Sequence, residues 1–344
     1  MIPTNNSLQI NSVCALTQGE NTPSSRFRWR QYLPILIESG IRPFELFSRW
    51  GAYPPKSKIL RAPWFFAHSL STISNALDSN NYDLRFLQRE MISTLHTSEY
   101  LLNYPFVFDV DDSIFINQRF SSVDKIAKKA NIIICGNDFL ANYFSRLGEV
   151  KILPTAIDIE RFIPTTKSKP LKIIGWSGTS SGLQYLNFIE PALKIILNRF
   201  PDVYLKIISD RPPVFTQLPN KQLIFEYWNQ NTEVKAIQDL SIGIMPLKDT
   251  IVEKGKCSFK MLTYMSVGVP VVVSNVGMNI EVLNHGDAGF LVSTIDEWVD
   301  TLTLLLNNQY LATNMGKTGR NIIKKNYSTK IIGSELAKIL KSQC

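Results

Sequence analysis

Two lysines, Lys256 and Lys260, flank the predicted start of a helix in the second half of the chain. Ser258 between them is a suitable N-cap, Gly268 is a typical helix-ending glycine, and Pro270 opens an apolar run that predicts a buried strand. Backbone N–H groups at a helix start, the positive end of the helix dipole and two ammonium groups can together bind an anion such as a diphosphate. An ordinary helix start with two solvated lysines fits the same spacing equally well.

A second candidate anion contact is the run of residues 174–182, where an apolar strand pattern passes into small and hydroxyl side chains. Ser177, Gly178 and Thr179 stand at this turn. Small side chains let backbone amides approach phosphate oxygens, and hydroxyls add donors. Many strand-to-helix loops have this composition. The prediction of a phosphate contact therefore depends on the neighbouring helix that carries the two lysines.

Three acidic residues, Asp109, Asp111 and Asp112, come at the end of another predicted strand. An Asp-x-Asp arrangement can hold a divalent cation, since carboxylates suit hard cations. Asp111 and Asp112 can instead line the acceptor side of a ligand site, or the segment can be a structural turn. Arg89 and Glu90 also follow a predicted strand and can orient sugar hydroxyls.

The histidines and cysteines give no metal-ligand spacing. His68, His96 and His285 are far apart. The four cysteines are scattered as well: Cys14, Cys135, Cys257 and Cys344. The histidines and cysteines therefore predict no metal or other cofactor. Scattered cysteines, no secretory pattern at the start and no apolar run of the ~18 to 20 residues that a membrane span needs predict a cytoplasmic protein.

The distribution of charged and aromatic residues indicates which kinds of partner the chain can bind. The net charge of +8 suits an anionic ligand, but no nucleic-acid reader motif is present, so no nucleic-acid partner is expected. Residues 21–66 interleave basic and aromatic side chains, Arg26 among them, which fits peripheral contact with an anionic membrane and a glycan or lipid-linked acceptor. Leu33, Leu36, Ile37 and Ile41 equally have the period of an ordinary core helix.

The elements that must position these residues form an alternating pattern of short apolar runs and helical stretches, typical of βα units and parallel sheets. The predicted strands are residues 12–16, 84–87, 106–108, 131–135, 151–153, 171–176, 204–208, 222–225, 243–246 and 270–274. Residues 164–170, bracketed by prolines, predict a linker. We therefore expect an α/β protein with domains at 1–165 and 166–328 and a final helix in 329–344 that packs back on the first domain. Ligands of such sheets bind at the carboxyl ends of the strands.

The segment of residues 255–272 resembles the signature G-K-C-x-F-K-x-L-x-Y-M-x-x-G-x-P-V-V of a branch of the group 1 glycosyl transferases, glycosyltransferase family four. Residues 241–247 resemble D-I-G-I-M-P-L with Ser241 in place of the acid, and residues 284–292 resemble H-G-x-x-G-F-L. The likeness extends over roughly residues 10–325 and includes the segments around Arg89, Asp111 and Asp158. Many members carry two glutamates eight positions apart, whose places are taken here by Gly255 and Thr263.

The resemblance implies the GT-B fold, two Rossmann-like domains facing across a cleft, and a retaining, metal-independent transfer from a nucleotide sugar, as in cell-surface polysaccharide biosynthesis. It implies donor diphosphate contacts from Ser177, Gly178, Thr179, Lys256, Ser258 and Lys260. It implies nucleoside contacts from Met245, Pro246 and Thr263, and catalytic roles for Asp111, Asp112, Lys256 and Lys260. The acceptor and sugar side is assigned to Arg26, Arg89, Glu90 and Asp109. A nucleotide-sugar epimerase of the same fold and a non-catalytic nucleotide-sugar-binding protein remain alternatives.

Overall fold

The computed structural model describes residues 10–20, 22–51, 54–92, 98–116, 122–165 and 172–343. Linker residues 166–170, His96 and Cys344 lie outside these ranges. Contacts divide the chain into two compact units. Unit 1 comprises Met1–Ala156, Gly255–Cys257 and Thr329–Cys344, and unit 2 comprises Ile157–Lys254 and Ser258–Ser328. The chain thus leaves unit 2 for three residues, immediately before the helix that carries Lys260.

Unit 1 is a parallel six-stranded sheet with the order β2-β1-β3-β4-β5-β6. Its strands are β1 (Ser12–Thr17), β2 (Arg42–Phe47), β3 (Leu84–Gln88), β4 (Phe106–Val110), β5 (Ile132–Cys135) and β6 (Val150–Ile152). Its helices are α1 (Pro23–Arg28), α2 (Leu33–Glu38), α3 (Arg61–Ser79), α4 (Ser122–Lys129) and α5 (Asp138–Phe144), with 3-10 turns at Arg30–Tyr32 and Glu99–Leu101.

Two hydrophobic clusters cover the two faces of this sheet, because side chains alternate along each strand. Val13 and Phe86 belong to one cluster, and Leu16 and Leu87 to the other. Such runs, apolar on both faces, are what a parallel sheet covered by helices requires.

Unit 2 repeats the plan with the strand order β12-β11-β10-β7-β8-β9. Its strands are β7 (Lys172–Ser177), β8 (Val203–Ser209), β9 (Leu223–Tyr227), β10 (Ile242–Met245), β11 (Val271–Ser274) and β12 (Gly289–Val292). Its helices are α6 (Leu183–Phe188), α7 (Glu190–Arg199), α8 (Glu233–Gln238), α9 (Ile251–Lys254), α10 (Phe259–Ser266), α11 (Met278–Leu283), α12 (Ile295–Asn307) and α13 (Gln309–Ile322). Short turns lie at Ser180–Gly182 and Asn220–Gln222, and a π-helical turn at Ile323–Tyr327. The two parallel sheets confirm the predicted pair of Rossmann-like domains.

The final helix, α14 (Thr329–Lys341), groups with unit 1 and packs on α2. A Cβ at Gly333 would lie 2.8 Å from Ile35 Cδ1, so the glycine allows the two helices to approach closely. Among the described residues, no helix is long and apolar enough to cross a bilayer.

Two strands were not predicted from the sequence. The helical period through Ile41 suggested a helix, but α2 ends at Glu38 and Gly40 takes a φ of +81°, which stops the helix. The following residues form β2, an edge strand whose charged and proline residues obscure its pattern. The other missed strand, β12, has only four residues.

Candidate functional site

The carboxyl end of β7 in unit 2 carries the predicted loop Ser177, Gly178 and Thr179. Gly178 leaves room there for two side chains, because a Cβ at this position would lie 2.4 Å from Lys260 Cε and 2.8 Å from the Trp176 ring. The Lys260 ammonium lies 5.6 Å from the centroid of that ring, within cation–π range. The structure therefore brings together the loop and one of the two predicted lysines.

Tyr264, one turn after Lys260 on α10, fixes this arrangement and was missed in the sequence. Its buried hydroxyl accepts a hydrogen bond of 2.7 Å from the Ser177 N–H, and burial raises the pKa of Tyr264 well above its ordinary value. The bond joins α10 to the last residue of β7. The four-residue spacing from Lys260 was the available signal, since residues i and i+4 share a helix face.

The start of α10 differs from the prediction in one respect. Ser258 occupies the N-cap position, but with a φ of +47° its hydroxyl donates to Asn279 Oδ1 at 2.8 Å and makes no cap bond. The expected side-chain cap is therefore wrong. The bond from Ser258 to Asn279 instead links the start of α10 to α11. Asn279 in turn donates to the Ser274 carbonyl at 2.9 Å, which links α11 to the end of β11.

The predicted nucleoside contacts Met245, Pro246 and Thr263 are all buried. The Thr263 hydroxyl donates to the Lys260 carbonyl at 2.6 Å, within its own helix. The structure gives these three side chains packing roles in unit 2, and their contact with a nucleoside stays a prediction.

In unit 1, Asp109 at the end of β4 forms a buried ion pair with Arg28. Arg28 Nη2 lies 2.5 Å from Asp109 Oδ1 and Nε 3.1 Å from Oδ2, and both side chains are about 1% exposed. Arg28 Nη1 also donates to the Leu153 carbonyl at 2.6 Å. Although burial lowers the pKa of the Arg28 guanidinium, the Asp109 carboxylate raises it above its ordinary value.

This pair changes the interpretation of Asp109. A carboxylate that is buried and held by two guanidinium nitrogens ties α1 to the sheet, which is a structural role, and its assignment to the acceptor side stays a prediction. Arg28 itself was missed, because in the sequence it stands in a run of arginines that resembles a solvated surface.

Asp111 and Asp112, after β4, have different surroundings. Asp112 Oδ1 accepts a bond of 2.9 Å from the Ser113 N–H and so shapes the turn. Asp111 Oδ1 is buried and has no hydrogen-bond partner among the described residues. The two adjacent carboxylates are therefore not equivalent.

The segment Gly255–Cys257 is built into unit 1 beside these aspartates. Cys257 Sγ donates to the Asp111 carbonyl at 3.2 Å, and Asn137 Nδ2 donates to the Lys256 carbonyl at 3.2 Å. A Cβ at Gly255 would lie 1.9 Å from Ser113 Oγ and 2.9 Å from the Ser113 backbone nitrogen. No side chain fits at Gly255, which explains the missing first glutamate. Lys256 therefore groups with unit 1, whereas Lys260 groups with unit 2.

Arg89 and Glu90 follow β3, which neighbours β4 in the sheet. Arg89 has a φ of +56°, an unusual value for a residue with a side chain, and its N–H donates to the Asp109 carbonyl at 2.9 Å. Such strain is common where a backbone serves a ligand site. Glu90 is buried, while Arg26 is half-buried on α1 and stacks on Phe27 at 4.5 Å. Arg89 and Asp111 thus lie at one edge of the sheet, and Arg26 on the helix that Arg28 fastens.

The histidines have local partners. His68 Nδ1 lies 2.7 Å from Ser48 Oγ, and His285 packs edge-on against Tyr327. Both contacts fit structural roles.

Comparison with known proteins finds a family likeness for part of unit 2. Residues 172–308 match the family model described as Glycosyl transferases group 1. A comparison with curated proteins finds no match.

Three solved structures share the fold over almost the whole chain. Sucrose-phosphate synthase from Thermosynechococcus elongatus is 12% identical with a TM-score of 0.70, covering 96% of this chain and 98% of its own. HepE from Anabaena, in complex with UDP and glucose, is 13% identical with a TM-score of 0.70, covering 97% and 100%. WaaG, a glycosyltransferase involved in lipopolysaccharide biosynthesis, is 12% identical with a TM-score of 0.67, covering 95% and 99%.

The two parallel sheets and these likenesses define the GT-B fold. Within that fold, residues 172–308 of unit 2 are similar to the group 1 glycosyl transferases, which supports a glycosyltransferase.

Proposed function

We propose that this glycosyltransferase binds the diphosphate of a nucleotide sugar at the carboxyl end of β7 and transfers the sugar with retention, without a metal ion. The observation that carries the proposal is the packing of Lys260 on Gly178, which sets an ammonium group beside a glycine loop. Retention is inferred from the resemblance to family four. The Anabaena protein is described with UDP and with UDP-glucose, which supports a uridine nucleotide as the first donor to test.

The chemistry asked of unit 2 is electrostatic. As the bond from the sugar to the leaving phosphate breaks, negative charge develops on the diphosphate, and a preorganised cation lowers the energy of that state. Lys260 can supply this charge together with the backbone amides of the loop after β7. Contact of Lys256, the second predicted lysine, with the diphosphate stays a prediction.

Metal independence rests on the surroundings of the Asp-x-Asp segment. A divalent cation there would need both carboxylates, but Asp109 is already neutralised by Arg28 in a buried pair. The positive charge that the reaction needs is then provided by lysines.

The acceptor side is assigned to unit 1. Asp111 Oδ1 is a buried acceptor atom without a partner in the described structure, and such atoms are costly unless a ligand satisfies them. We propose that it accepts the hydrogen bond of the attacking hydroxyl. Arg89 and Arg26 are assigned to the acceptor or the sugar, a glycan or lipid-linked molecule of polysaccharide biosynthesis in the cytoplasm.

The test is acceptor-dependent turnover. Candidate nucleotide sugars are first ranked by the thermal shift of their nucleoside diphosphates, and release of the diphosphate is then measured with and without a glycan acceptor. Release that rises with acceptor and yields an α- or β-linked product matching the donor supports retaining transfer. Isomerised donor without any transfer would instead support an epimerase.

A further inference from the structure

Helix α3 in unit 1 has its apolar side outward. The side chains that it buries are small or polar: His68, Thr72, Ala76 and Ser79. The side chains that it exposes include five large apolar ones, Phe65, Phe66, Leu70, Ile73 and Leu77, together with Arg61, Ser74 and, near its end, Asp78. A helix at the surface of a soluble domain has the opposite arrangement, so the outward side of α3 needs a partner of its own.

The exposed side chains form a stripe and not a scatter. Phe66, Leu70, Ile73 and Leu77 follow one another at helical spacing, and the stripe runs about 16 Å along the axis at 1.5 Å per residue. Phe66 is 68% exposed and Leu70 is 54% exposed. The residues just before the helix extend the surface, since Ile59 is 86% and Trp50 is 56% exposed.

The same surface is positively charged. Between Leu46 and Leu77 the sequence contains no aspartate or glutamate and four basic residues: Arg49, Lys56, Lys58 and Arg61. All four are exposed, and none forms an ion pair with a carboxylate in the described parts of the chain. An apolar stripe beside a group of cations is typical of an amphipathic helix that lies in the interface of an anionic membrane.

The topology of unit 1 places the basic segment before α3 at the edge where we assign the acceptor. Segment 48–60 connects the carboxyl end of β2 to α3, and Arg89 and Asp111 follow the carboxyl ends of β3 and β4. All these strands are parallel, so the connection and the two site residues lie at one edge of the sheet.

We propose that the outward side of α3 and the basic segment before it dock unit 1 on an anionic phospholipid surface, with α3 lying in the plane of the membrane. The proposal rests on the proposed function in one respect, since it gives a lipid-linked acceptor its route to unit 1. Charge decides between a membrane and a second copy of the chain. Two copies meeting through this surface would bring eight unpaired cations together, whereas anionic lipid neutralises them.

The test is co-sedimentation of the full chain with vesicles of phosphatidylcholine and phosphatidylglycerol, compared with phosphatidylcholine alone. The wild type should bind only the anionic vesicles, and added salt should weaken binding. Phe66→Ser with Leu70→Ser should weaken binding about tenfold or more, because two inserted side chains are lost. Lys56→Gln with Lys58→Gln should weaken it roughly thirtyfold, at about 1 kcal/mol per cation.

Matched controls come from unit 2. Val214→Ser with Tyr310→Ser removes two exposed apolar side chains there, and Lys221→Gln removes an exposed cation. Both should leave vesicle binding unchanged. Circular dichroism of each variant confirms the fold, which changes at exposed positions should preserve.

Three results would overturn the proposal: no binding of the wild type to anionic vesicles, binding by the α3 variants equal to that of the wild type, or a wild-type dimer that the α3 variants dissociate. Transfer to a water-soluble acceptor is measured in parallel and should survive in the α3 variants. Vesicle binding without any transfer would refute the proposed function and leave the docking surface standing.

Discussion

The side chain of Lys260 lies against the backbone of Gly178, so closely that a single methyl group at residue 178 would come within 2.4 Å of Lys260 Cε. The contact joins two segments that are 82 residues apart in the sequence. The contact explains why a glycine suits residue 178. A substitution at residue 178 can therefore test the position of the lysine.

Gly178→Ala should weaken nucleoside diphosphate binding about tenfold, because the new methyl group displaces the lysine side chain and presses on the Trp176 ring. Calorimetric titration measures the affinity. Gly148→Ala is the matched control, since a Cβ there meets nothing closer than 3.4 Å. If Gly178→Ala binds as the wild type does, the contact does not position a ligand group.

Arg28→Ala should lower the free energy of unfolding by about 3 to 5 kcal/mol, because it leaves the Asp109 carboxylate buried and unpaired. Urea unfolding of the wild type and the variant gives the difference. The control is Lys338→Ala, which breaks the exposed pair with Glu335 and should cost less than about 1 kcal/mol.

The double variant Arg28→Met with Asp109→Leu separates the structural role from a functional one. Replacing a buried pair by apolar side chains of similar size is often close to neutral, so much of the lost stability should return. A double variant as unstable as Arg28→Ala would contradict the structural account of Asp109.

Asp111→Asn should reduce kcat at saturating donor by about tenfold or more while leaving donor affinity within about twofold, because the group is assigned to the acceptor. Asp112→Asn is the comparison: an asparagine oxygen can still accept the Ser113 N–H bond, so a fall in its kcat would report the catalytic role that the resemblance implies for Asp112. Loss of donor affinity with normal turnover in Asp111→Asn would show that the two halves of the site are assigned the wrong way round.

The fold was largely predictable because its strands are runs of branched apolar residues, and such runs between helical stretches specify parallel sheets. The edge strand β2 was not predicted because Arg42, Pro43 and Glu45 interrupt its run of apolar residues. Packing against a single neighbouring strand, and not local propensity, decides its structure.

The candidate site was predictable only in part. The loop after β7 and Lys260 are marked by composition and motif, but the buried partner of Asp109 lies 81 positions away and no local pattern announces it. The sequence shows that a glutamate is missing at Gly255. Only the structure shows the cause, which is that the side chain and backbone nitrogen of Ser113 occupy the space that a side chain at Gly255 would need.

In the proposed reaction, lysine charge and not a metal ion stabilises the leaving diphosphate. The most direct test is kcat/KM for the best nucleotide sugar, measured for the wild type and Lys260→Ala in EDTA and again with added Mn²⁺. The account predicts equal wild-type values in both conditions and a loss of roughly ten- to a hundredfold in Lys260→Ala, since a charge-assisted hydrogen bond contributes about 1.5 to 3 kcal/mol. Wild-type activity abolished by EDTA and restored by Mn²⁺, with Lys260→Ala unimpaired, would contradict it.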